Sequence, residues 1–282
     1  MIEVLTTKTA LRELPPVAGR TAAVFTMGAL HRGHAALIEQ ARNAVGPTGR
    51  VIVTVFVNPR QFGAGEDFAE YPRTLAADVD VADAAGADVV WAPDAGEVYD
   101  TEGVAAGIAV EPGPLGAELE GASRAGHFAG VLTVVLKLLM VTAPDLALFG
   151  EKDYQQLTLI RAMASALDLP IDIVGAPTVR EDDGLALSSR NRYLSADQRA
   201  LAARIPAATA AGAEAARSGA DAVVSAATGI LDVEGIDIDY VAVRDPSLGA
   251  APTAGPARLL IAVTVGDTRL IDNVPVTLGG AS

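Results

Sequence analysis

The chain of 282 residues contains no cysteine. This absence excludes disulfide bonds, thiolate catalysis and metal or iron–sulfur sites that depend on cysteine ligands. Aromatic residues make up only 4% of the chain, and histidine occurs only three times. The length is sufficient for one large domain or for two smaller domains that each have a hydrophobic core.

Long hydrophobic runs are also missing. The longest apolar stretch, Val131–Val141, is interrupted by Thr133 and Lys137, and a membrane-spanning helix needs ~20 apolar residues. The N-terminal segment MIEVLTTKTALREL carries acidic residues and lacks the basic and apolar regions of a signal peptide. We therefore expect a soluble cytoplasmic protein that does not contact a membrane.

Positive charge is scarce: the chain has 21 Lys and Arg residues and 35 Asp and Glu residues, which gives a net charge of −14. A protein that binds a nucleic-acid backbone needs a basic face, so this balance argues against a nucleic-acid partner. A small anionic ligand remains compatible with it, since a pocket can be locally positive on an acidic protein.

Apolar strands alternate with amphipathic helices up to Val174, which predicts an α/β fold with a doubly wound, Rossmann-like parallel sheet. Thr21–Thr26 is predicted to be the first strand. The further predicted strands are Arg50–Val57, Asp88–Ala92, Leu146–Phe149 and Ile171–Val174. The predicted helices are His34–Ala44, Leu75–Ala85, Ala129–Val141 and Tyr154–Leu167.

The pattern changes near Pro177, which predicts one domain over residues 1–178 and a smaller α+β domain over residues 179–282. Ser195–Ser218 is predicted to be helical, with Pro206 dividing it into two helices or kinking one. The remaining predicted elements are the helix Asp221–Leu231 and three antiparallel strands, Asp237–Arg244, Arg258–Val265 and Thr268–Thr277.

Two of the three histidines lie in TMGALHRGH, which follows the strand Thr21–Thr26. Main-chain N–H groups and the positive end of a helix at this position form a phosphate-binding site. His31 and His34 are one helical turn apart, so their rings can donate to phosphoryl oxygens together. In the alternative interpretation one histidine caps the helix and the other packs inside the protein. The position directly after a parallel strand favours the phosphate site.

Two further segments have the composition of phosphate-binding loops. FGEKDYQQ brings Lys152, which can neutralise phosphates, and Asp153, which can accept from ribose hydroxyls, to the end of another strand. LSSRN (Leu187–Asn191) combines two hydroxyl groups with a guanidinium group, a set that suits polyphosphate recognition. The alternatives are an ordinary polar loop for the first segment, and a serine N-cap with surface arginines for the second.

Neutral amides follow the strand Arg50–Val57. Asn58 and Gln61 can both donate and accept hydrogen bonds, which suits a ligand with hydroxyl and carboxylate groups. Turn chemistry around Pro59 is the alternative, and it is more plausible for Asn58 than for Gln61. Asp78 is a candidate ligand for Mg²⁺.

The order and spacing of these segments resemble the pantothenate synthetase (pantoate–β-alanine ligase) family, within the HxGH nucleotidyltransferase group. The resemblance extends from about Thr21 to Tyr193 and is looser after Ser195. It is carried by TMGALHRGH, FVNPRQFG, YPRT, ELEG…HFAGVLTVV, FGEKDYQQL and DGLALSSRNRYL. Arg32 and Arg60 occupy variable positions within these motifs, and we expect both to point outward.

This resemblance implies that ATP with Mg²⁺, (R)-pantoate and β-alanine are converted to pantothenate, AMP and pyrophosphate through pantoyl adenylate, by a homodimer. It assigns catalysis to His34, His31, Lys152 and Arg190. It assigns ATP binding to Met27, Gly28, Ala29, Leu30, His31, Arg32, Gly33, His34, Gly150, Glu151, Lys152, Asp153, Val179, Leu187, Ser188, Ser189 and Arg190. It assigns pantoate to Gln61 and Gln156, β-alanine to Gln61, and less specific roles to Asn58, Tyr71, Arg124 and His127.

Two other functions compete with this interpretation. A nucleotidyltransferase of the same fold that acts on a phosphorylated acceptor would need cationic groups where this chain has Gln61 and Gln156. A non-catalytic nucleotide sensor is expected to have lost one of His34, Lys152 or Arg190, and all three are present. The acidic net charge disfavours a tRNA ligase.

Overall fold

A six-stranded parallel sheet forms the centre of the first of two units in the computed structural model, which describes residues 2–63, 68–99 and 103–279. The strand order is β1-β4-β3-β2-β5-β6. The strands are β1 (Glu3–Leu5), β2 (Thr21–Thr26), β3 (Arg50–Val55), β4 (Val89–Trp91), β5 (Leu146–Gly150) and β6 (Asp172–Ala176). This unit comprises the chain up to Glu151 together with Leu159–Pro177. The predicted parallel α/β sheet is confirmed.

Helices connect these strands and cover the sheet. They are α1 (Lys8–Arg12), α2 (Arg32–Val45), α3 (Leu75–Ala84), α4 (Ala95–Val98), α5 (Glu120–Ser123), α6 (His127–Thr142) and α7 (Tyr154–Ala166). Ala22 and Val24 of β2 belong to one buried cluster with Ile38 of α2. Ala23 points to the opposite face and is also fully buried. The central strand is therefore covered on both faces, which explains its unbroken apolar sequence.

The direction of winding reverses beside β2. This strand pairs in parallel with β3 on one side and with β5 on the other. Phe25 and Phe149 meet edge to face near the ends of the two strands, with ring centroids 6.0 Å apart. In open α/β sheets ligands bind in the crevice at the carboxyl ends of the strands where the order reverses. The segments that follow β2 and β5 both begin at this crevice.

Several predicted boundaries differ from the structure. Thr21–Thr26 was predicted to be the first strand, but it is the second, since β1 precedes it. The sequence analysis missed β1. This strand has three residues, is mostly exposed and pairs with β4 alone among the described strands. The strand predicted over Arg50–Val57 ends at Val55. Helix α2 begins at Arg32, before the predicted start at His34.

The second unit comprises Lys152–Thr158 and the chain from Thr178 onward. Its three strands form an antiparallel sheet in the order β7-β8-β9, as predicted. Its buried core includes Ile205, Leu231, Leu259 and Ile261. The elements are α8 (Ala196–Ala202), α9 (Arg204–Ala215), α10 (Ala220–Leu231), β7 (Ile236–Arg244), β8 (Gly255–Val265) and β9 (Thr268–Leu278).

Pro206 does not divide the helical region in the way the sequence predicted. The break between α8 and α9 lies at Ala203, and Pro206 is the third residue of α9. Proline fits in the first turn of a helix because its missing N–H would have no partner within the helix there. Within the described ranges, no helix combines the length and the apolar composition needed to cross a membrane.

Gly130 of α6 lies against the turn that carries Gln61. A Cβ atom at this position would overlap the main-chain oxygen of Arg60 and would lie 2.9 Å from the Cα atom of Gln61. We therefore expect Gly130→Ala to lower the free energy of unfolding by about 2 kcal/mol, because overpacked positions force the backbone to shift. Urea denaturation measures this change.

Gly229→Ala in α10 is the matched control. A Cβ atom there would meet nothing within 4 Å, so alanine is expected to stabilise the helix by up to ~1 kcal/mol. Equal unfolding free energies for Gly130→Ala and the wild type would contradict close packing of α6 against the turn.

Candidate active site

His31 and His34 lie together at the start of α2. His31 is the N-cap residue, and its Nδ1 accepts a hydrogen bond from the N–H of Gly33 at 3.1 Å. The Nδ1 of His34 accepts from the main-chain N–H of His31 at 3.2 Å. The two ring centroids are 4.1 Å apart. The capping alternative is thus correct for His31, while the predicted proximity of the two rings is also confirmed.

These hydrogen bonds determine which ring nitrogen carries the proton. A main-chain N–H can only donate, so both Nδ1 atoms must be acceptors. A neutral ring then holds its proton on Nε2. Capping the helix therefore gives each imidazole a defined N–H donor at the opposite end of the ring, and the capping and phosphate-binding interpretations are compatible.

The loop that precedes the histidines uses its main-chain donors within the protein. The N–H of Gly28 donates to the Oγ1 of Thr26 at 3.2 Å, and the N–H of Leu30 donates to Asp78 at 2.7 Å. Gly28 and Ala29 both have positive φ angles, 87° and 52°. The sequence analysis predicted main-chain N–H groups as phosphate donors here. In the structure these two groups, and those of His31 and Gly33, already have acceptors.

Asp78 supports this loop from α3. Its side chain is only 1% exposed, and both of its carboxylate oxygens lie 3.2 Å from the Oγ1 of Thr74, which can donate to them. A Cβ atom at Gly28 would lie 3.0 Å from its Oδ2, so the loop passes very close to the carboxylate. Among the described residues, no three His, Asp or Glu side chains form a group that could hold a metal ion.

Asn58 connects Gln61 to the buried interior of the first unit. The Nδ2 of Asn58 donates to the carbonyl oxygen of Gly130 at 3.2 Å and to the Oε1 of Gln61 at 3.1 Å. Its Oδ1 accepts from the N–H of Arg60 at 3.2 Å and from the hydroxyl of Tyr99 at 2.7 Å. The Asn58 side chain is only 1% exposed.

The orientations of both amides follow from the main-chain partners of Asn58. Because the N–H of Arg60 must donate and the carbonyl of Gly130 must accept, the Asn58 amide can face only one way. Its Nδ2 then requires the oxygen of the Gln61 amide. The Nε2 of Gln61 is consequently the group directed away from Asn58, and it lies 2.8 Å from the Sδ of Met27. Gln61 thus presents a donor beside the histidine-containing segment.

Arg124 and His127 lie on the other side of Gln61. The Nη1 of Arg124 lies 2.9 Å from the Nε2 of His127. Arginine can only donate, so Nε2 accepts and a neutral ring carries its proton on Nδ1. This Nδ1 lies 2.8 Å from the main-chain oxygen of Gln61 and can donate to it. Both residues hold the backbone of Gln61, a role that sequence reasoning did not assign to them.

Tyr99 was missed by the sequence analysis because it is 41 residues from Asn58, and no local pattern marks it. Burial raises the pKa of Tyr99 to about 12, against a smaller opposing effect of the Arg60 charge, so the hydroxyl stays protonated at neutral pH. The guanidinium of Arg60 packs 4.1 Å from the centre of the Tyr99 ring. The prediction that Arg60 points outward is therefore wrong, whereas Arg32 is exposed.

Tyr71 is a further site candidate of the first unit. Its ring packs edge to face against Phe62, with centroids 5.8 Å apart, and Phe62 also contacts Phe68. Residues 64–67, which lie between Phe62 and Phe68 in the sequence, are outside the described part of the chain. Tyr71 is one member of an aromatic cluster with Phe62 and Phe68.

Lys152 belongs to a single 3-10 turn, Glu151–Asp153, directly after Gly150 at the end of β5. Its Nζ lies 3.5 Å from the Oδ1 of Asp153. Helix α7 then begins at Tyr154 and carries Gln156, which is partly exposed, while the adjacent Gln155 is buried. The predicted phosphate-binding lysine and the predicted pantoate-binding glutamine are therefore separated by about one helical turn.

The LSSRN segment begins at the end of a short hairpin formed by residues 179–187. The N–H of Leu187 donates to the carbonyl of Val179 at 2.9 Å. Ser188 then caps the 3-10 helix Ser189–Tyr193, because its Oγ accepts from the N–H of Arg190 at 3.2 Å. The N-cap alternative is correct for Ser188. Ser189 and Arg190 occupy the first turn and are partly exposed.

Arg199 anchors this hairpin through two carboxylates. Its guanidinium lies 2.7 Å from Glu181 and 2.5 Å from Asp183. Burial acts to raise the pKa of Glu181, but hydrogen bonds from Asn191 and Arg199 outweigh it, so the pKa lies below its ordinary value. The hydrogen bond from Arg199 likewise lowers the pKa of Asp183. The hairpin and Asn191 are thereby fixed to α8.

The two units carry different members of the predicted site. In the first unit the Met27–Gln61 contact connects the histidine-containing segment with the amide group. The predicted members in this unit are Met27–His34, Asn58, Gln61, Tyr71, Asp78, Arg124, His127, Gly150 and Glu151. Those in the second unit are Lys152, Asp153, Gln156, Val179 and Leu187–Arg190.

A parallel sheet whose winding reverses beside β2, with His31 and His34 directly after that strand, defines a doubly wound α/β protein with a candidate ligand site at the carboxyl ends of its strands. The family model for pantoate-beta-alanine ligase matches residues 3–275. The chain therefore belongs to the pantoate-beta-alanine ligase family, and it is an enzyme of the ligase class. The family and the fold predicted from the sequence are both confirmed.

Similar proteins include both curated relatives and solved structures. The pantothenate synthetase of Nocardia farcinica is 56% identical over 93% of this chain and 81% of its own length. The crystal structure of pantothenate synthetase from Thermus thermophilus is 45% identical, with a TM-score of 0.89 over 97% of this chain and 99% of that chain. The Francisella tularensis enzyme, crystallised with beta-gamma ATP and beta-alanine, is 31% identical, with a TM-score of 0.79 over 97% of both chains.

The carboxylates bound to Arg199 generate a testable dependence of stability on pH. Their pKa values are lowered in the folded state, so their contribution is complete above the ordinary carboxyl pKa of about 4 and is lost as the pH falls below it. We expect Arg199→Gln to be less stable than the wild type at pH 7, with a difference that shrinks between about pH 5 and pH 3. Urea unfolding across this range measures the difference.

Arg217→Gln, at an exposed position of the same unit, serves as the control, and its stability is expected to follow the wild type throughout. A difference between Arg199→Gln and the wild type that stays constant down to about pH 3 would contradict the role of these carboxylates.

Proposed function

We propose that this ligase joins the carboxylate of (R)-pantoate to the amine of β-alanine in two steps, with ATP as the source of the leaving group. The observation that carries the proposal is the pair of imidazoles at the start of α2, each held by a main-chain N–H so that its proton lies on Nε2. Their place after the central strand is where α/β sheets bind nucleotides.

In the first step the pantoate carboxylate attacks the α-phosphorus of ATP, and pyrophosphate leaves with the electrons of the broken P–O bond. Negative charge grows on the phosphoryl oxygens in the transition state, and N–H donors aimed at these oxygens stabilise it. We assign this role to His31 and His34, with His34 as the donor that offers the proton on its Nε2 in a hydrogen bond to the phosphoryl oxygen. Lys152 and Arg190 neutralise the phosphates, with contacts from Ser188 and Ser189.

In the second step the amine of β-alanine attacks the acyl carbon of pantoyl adenylate, the bond from that carbon to the phosphate oxygen breaks so that AMP leaves, and the new amide nitrogen loses a proton to water. The adenylate supplies the leaving group that a carboxylate lacks, so catalysis depends on positioning and on charge neutralisation, and no nucleophilic side chain is needed. The remaining nucleotide contacts are assigned to Met27–Leu30, Arg32, Gly33, Gly150, Glu151, Asp153, Val179 and Leu187.

Gln61 and Gln156 are assigned to pantoate, and Gln61 also borders β-alanine. The donor that Gln61 presents through its Nε2 suits an acceptor oxygen on either substrate. Arg124 and His127 hold the backbone of Gln61. We therefore place them behind the pantoate contact, where they position Gln61.

Mg²⁺ is proposed to arrive with ATP. This ion usually keeps several waters and is bound by phosphates with one or two carboxylates, where it offsets the negative charge of the phosphates. Asp78 does not fit as its ligand, because the side chain is only 1% exposed and its oxygens face Leu30 and Thr74. We assign Asp78 to holding the loop. A homodimer in the cytoplasm completes the proposal.

Isotope exchange tests the adenylate mechanism directly. We expect ATP and pantoate alone to support exchange between labelled pyrophosphate and ATP, because the first step is complete and reversible without β-alanine. AMP and pantothenate are expected to accumulate only after β-alanine is added. Formation of ADP, or of AMP without any exchange activity, would refute the mechanism.

The same assay separates the competing functions. A nucleotide sensor would bind ATP without exchange under any condition. A nucleotidyltransferase for phosphorylated acceptors would catalyse exchange between pyrophosphate and ATP when a phosphorylated acceptor is present, and not when pantoate is present. The neutral amides of Gln61 and Gln156 favour the pantoate result.

Tyr99→Phe tests whether the orientation of Gln61 matters for pantoate. The substitution keeps the ring that packs on Arg60 and removes the hydroxyl that donates to Asn58. We expect the KM for pantoate to rise about two- to tenfold, the cost of one hydrogen bond, while the KM for ATP stays unchanged. Steady-state kinetics measures both constants.

Tyr193→Phe is the matched control, because Tyr193 is 50% exposed, and it is expected to leave both constants unchanged. An equal rise in both KM values for Tyr99→Phe would show that Tyr99 supports the fold in general and does not orient Gln61.

A further inference from the structure

Asn273 of β9 is a buried amide that reaches the main chain of Lys152. The side chain is only 4% exposed. Its Nδ2 donates to the carbonyl oxygen of Lys152 at 2.9 Å. Its Oδ1 accepts from the Nε of Arg258 at 2.7 Å. The C-terminal sheet therefore holds the backbone of the lysine through a single side chain.

The direction of this amide is determined from both ends. The Nε of Arg258 can only donate, and the carbonyl of Lys152 can only accept, so neither contact survives rotation of the amide by half a turn. Arg258 is itself held, since its guanidinium lies 3.9 Å from the centre of the Tyr154 ring. The hydroxyl of Tyr154 donates to the carbonyl of Pro246 at 2.9 Å. Both ends of the Lys152–Tyr154 segment are thus held by other residues of the second unit, to which the segment itself belongs.

The residue next to Asn273 holds the other phosphate-binding segment. Asp272 is 2% exposed and forms a bidentate pair with Arg180, at 2.7 and 2.9 Å. Arg180 also donates to the carbonyl of Gly184 at 2.9 Å, within the hairpin that leads to Ser188. Asp272 and Asn273 are joined by a hydrogen bond of 2.7 Å from the N–H of Asn273.

We propose that Asn273 is a positioning residue for Lys152. We also propose that Asp272 and Asn273, which are adjacent in β9, together set the distance between Lys152 and the Ser188–Arg190 segment. The proposal rests on the function proposed above, in which both segments bind the phosphates of ATP. Charged groups assist phosphoryl transfer only when they are held in place before the reaction, and displacement by about 1 Å costs on the order of a hundredfold in rate. A buried amide fixed at both ends meets this requirement.

Asn273→Asp tests the proposal with almost no change of shape. The carboxylate still accepts from Arg258, but it cannot donate to Lys152 and its second oxygen faces the carbonyl. We expect pyrophosphate exchange to fall on the order of tenfold. The rate at which preformed pantoyl adenylate reacts with β-alanine is expected to change less than about twofold, because the pyrophosphate that Lys152 neutralises has already left.

A double-mutant cycle distinguishes positioning from general support of the fold. In a Lys152→Met background, Asn273→Asp is expected to cause almost no further loss of exchange, because the group it positions is gone. Losses that multiply in the double variant, or equal losses in both half-reactions, would overturn the proposal. Asp239→Asn in β7, which weakens an exposed ion pair with Arg269, is the control and is expected to retain wild-type exchange.

Binding measurements keep the test independent of turnover. Calorimetry is expected to give weaker ATP binding for Asn273→Asp than for the wild type, and no such difference between Lys152→Met and the double variant. If the wild type showed no exchange, the proposed function would fail while this binding cycle still decided the role of Asn273. Asn273→Ser, which leaves room for water, supplies the same comparison if the aspartate variant does not fold.

Discussion

Parallel pairing of β2 with β3 on one side and β5 on the other is the constraint on which the first unit depends. It brings the carboxyl ends of β2 and β5 side by side, so the segments that follow them start from one crevice. The helices that cover the sheet bury β2 on both faces, which leaves its polar chemistry to the residues beyond Thr26. Loss of this pairing would separate segments that are more than a hundred residues apart in the chain.

Main-chain partners determine the direction of three side chains at this edge, His31, His34 and Asn58. Peptide N–H groups hold the rings of His31 and His34, and the peptide groups of Arg60 and Gly130 hold Asn58. A peptide N–H can only donate and a peptide carbonyl can only accept, so these partners admit one orientation of each ring or amide. The donors of the site are therefore set by the backbone before any ligand binds.

The parallel sheet and the histidine-containing segment could be predicted because their signals are local. The buried strand Thr21–Thr26 and the segment that ends at His34 are adjacent in the sequence, so their pattern can be recognised locally. β1 could not be predicted, since its three mostly exposed residues show no hydrophobic period. The helix-breaking tendency of proline placed the break or kink at Pro206, although the break between α8 and α9 lies at Ala203. Tyr99 and Asn273 act on residues far away in the chain, and only the folded structure brings them there.

The capping of α2 has a consequence for variants of the histidine pair. A side chain without an acceptor in the place of Nδ1 would leave the peptide N–H that points there without its acceptor. The first turn of the helix would then lose its cap. The start of α2 and the direction of the two rings are thus one coupled property, so a substitution that removes either ring also loosens the turn that brings the rings together.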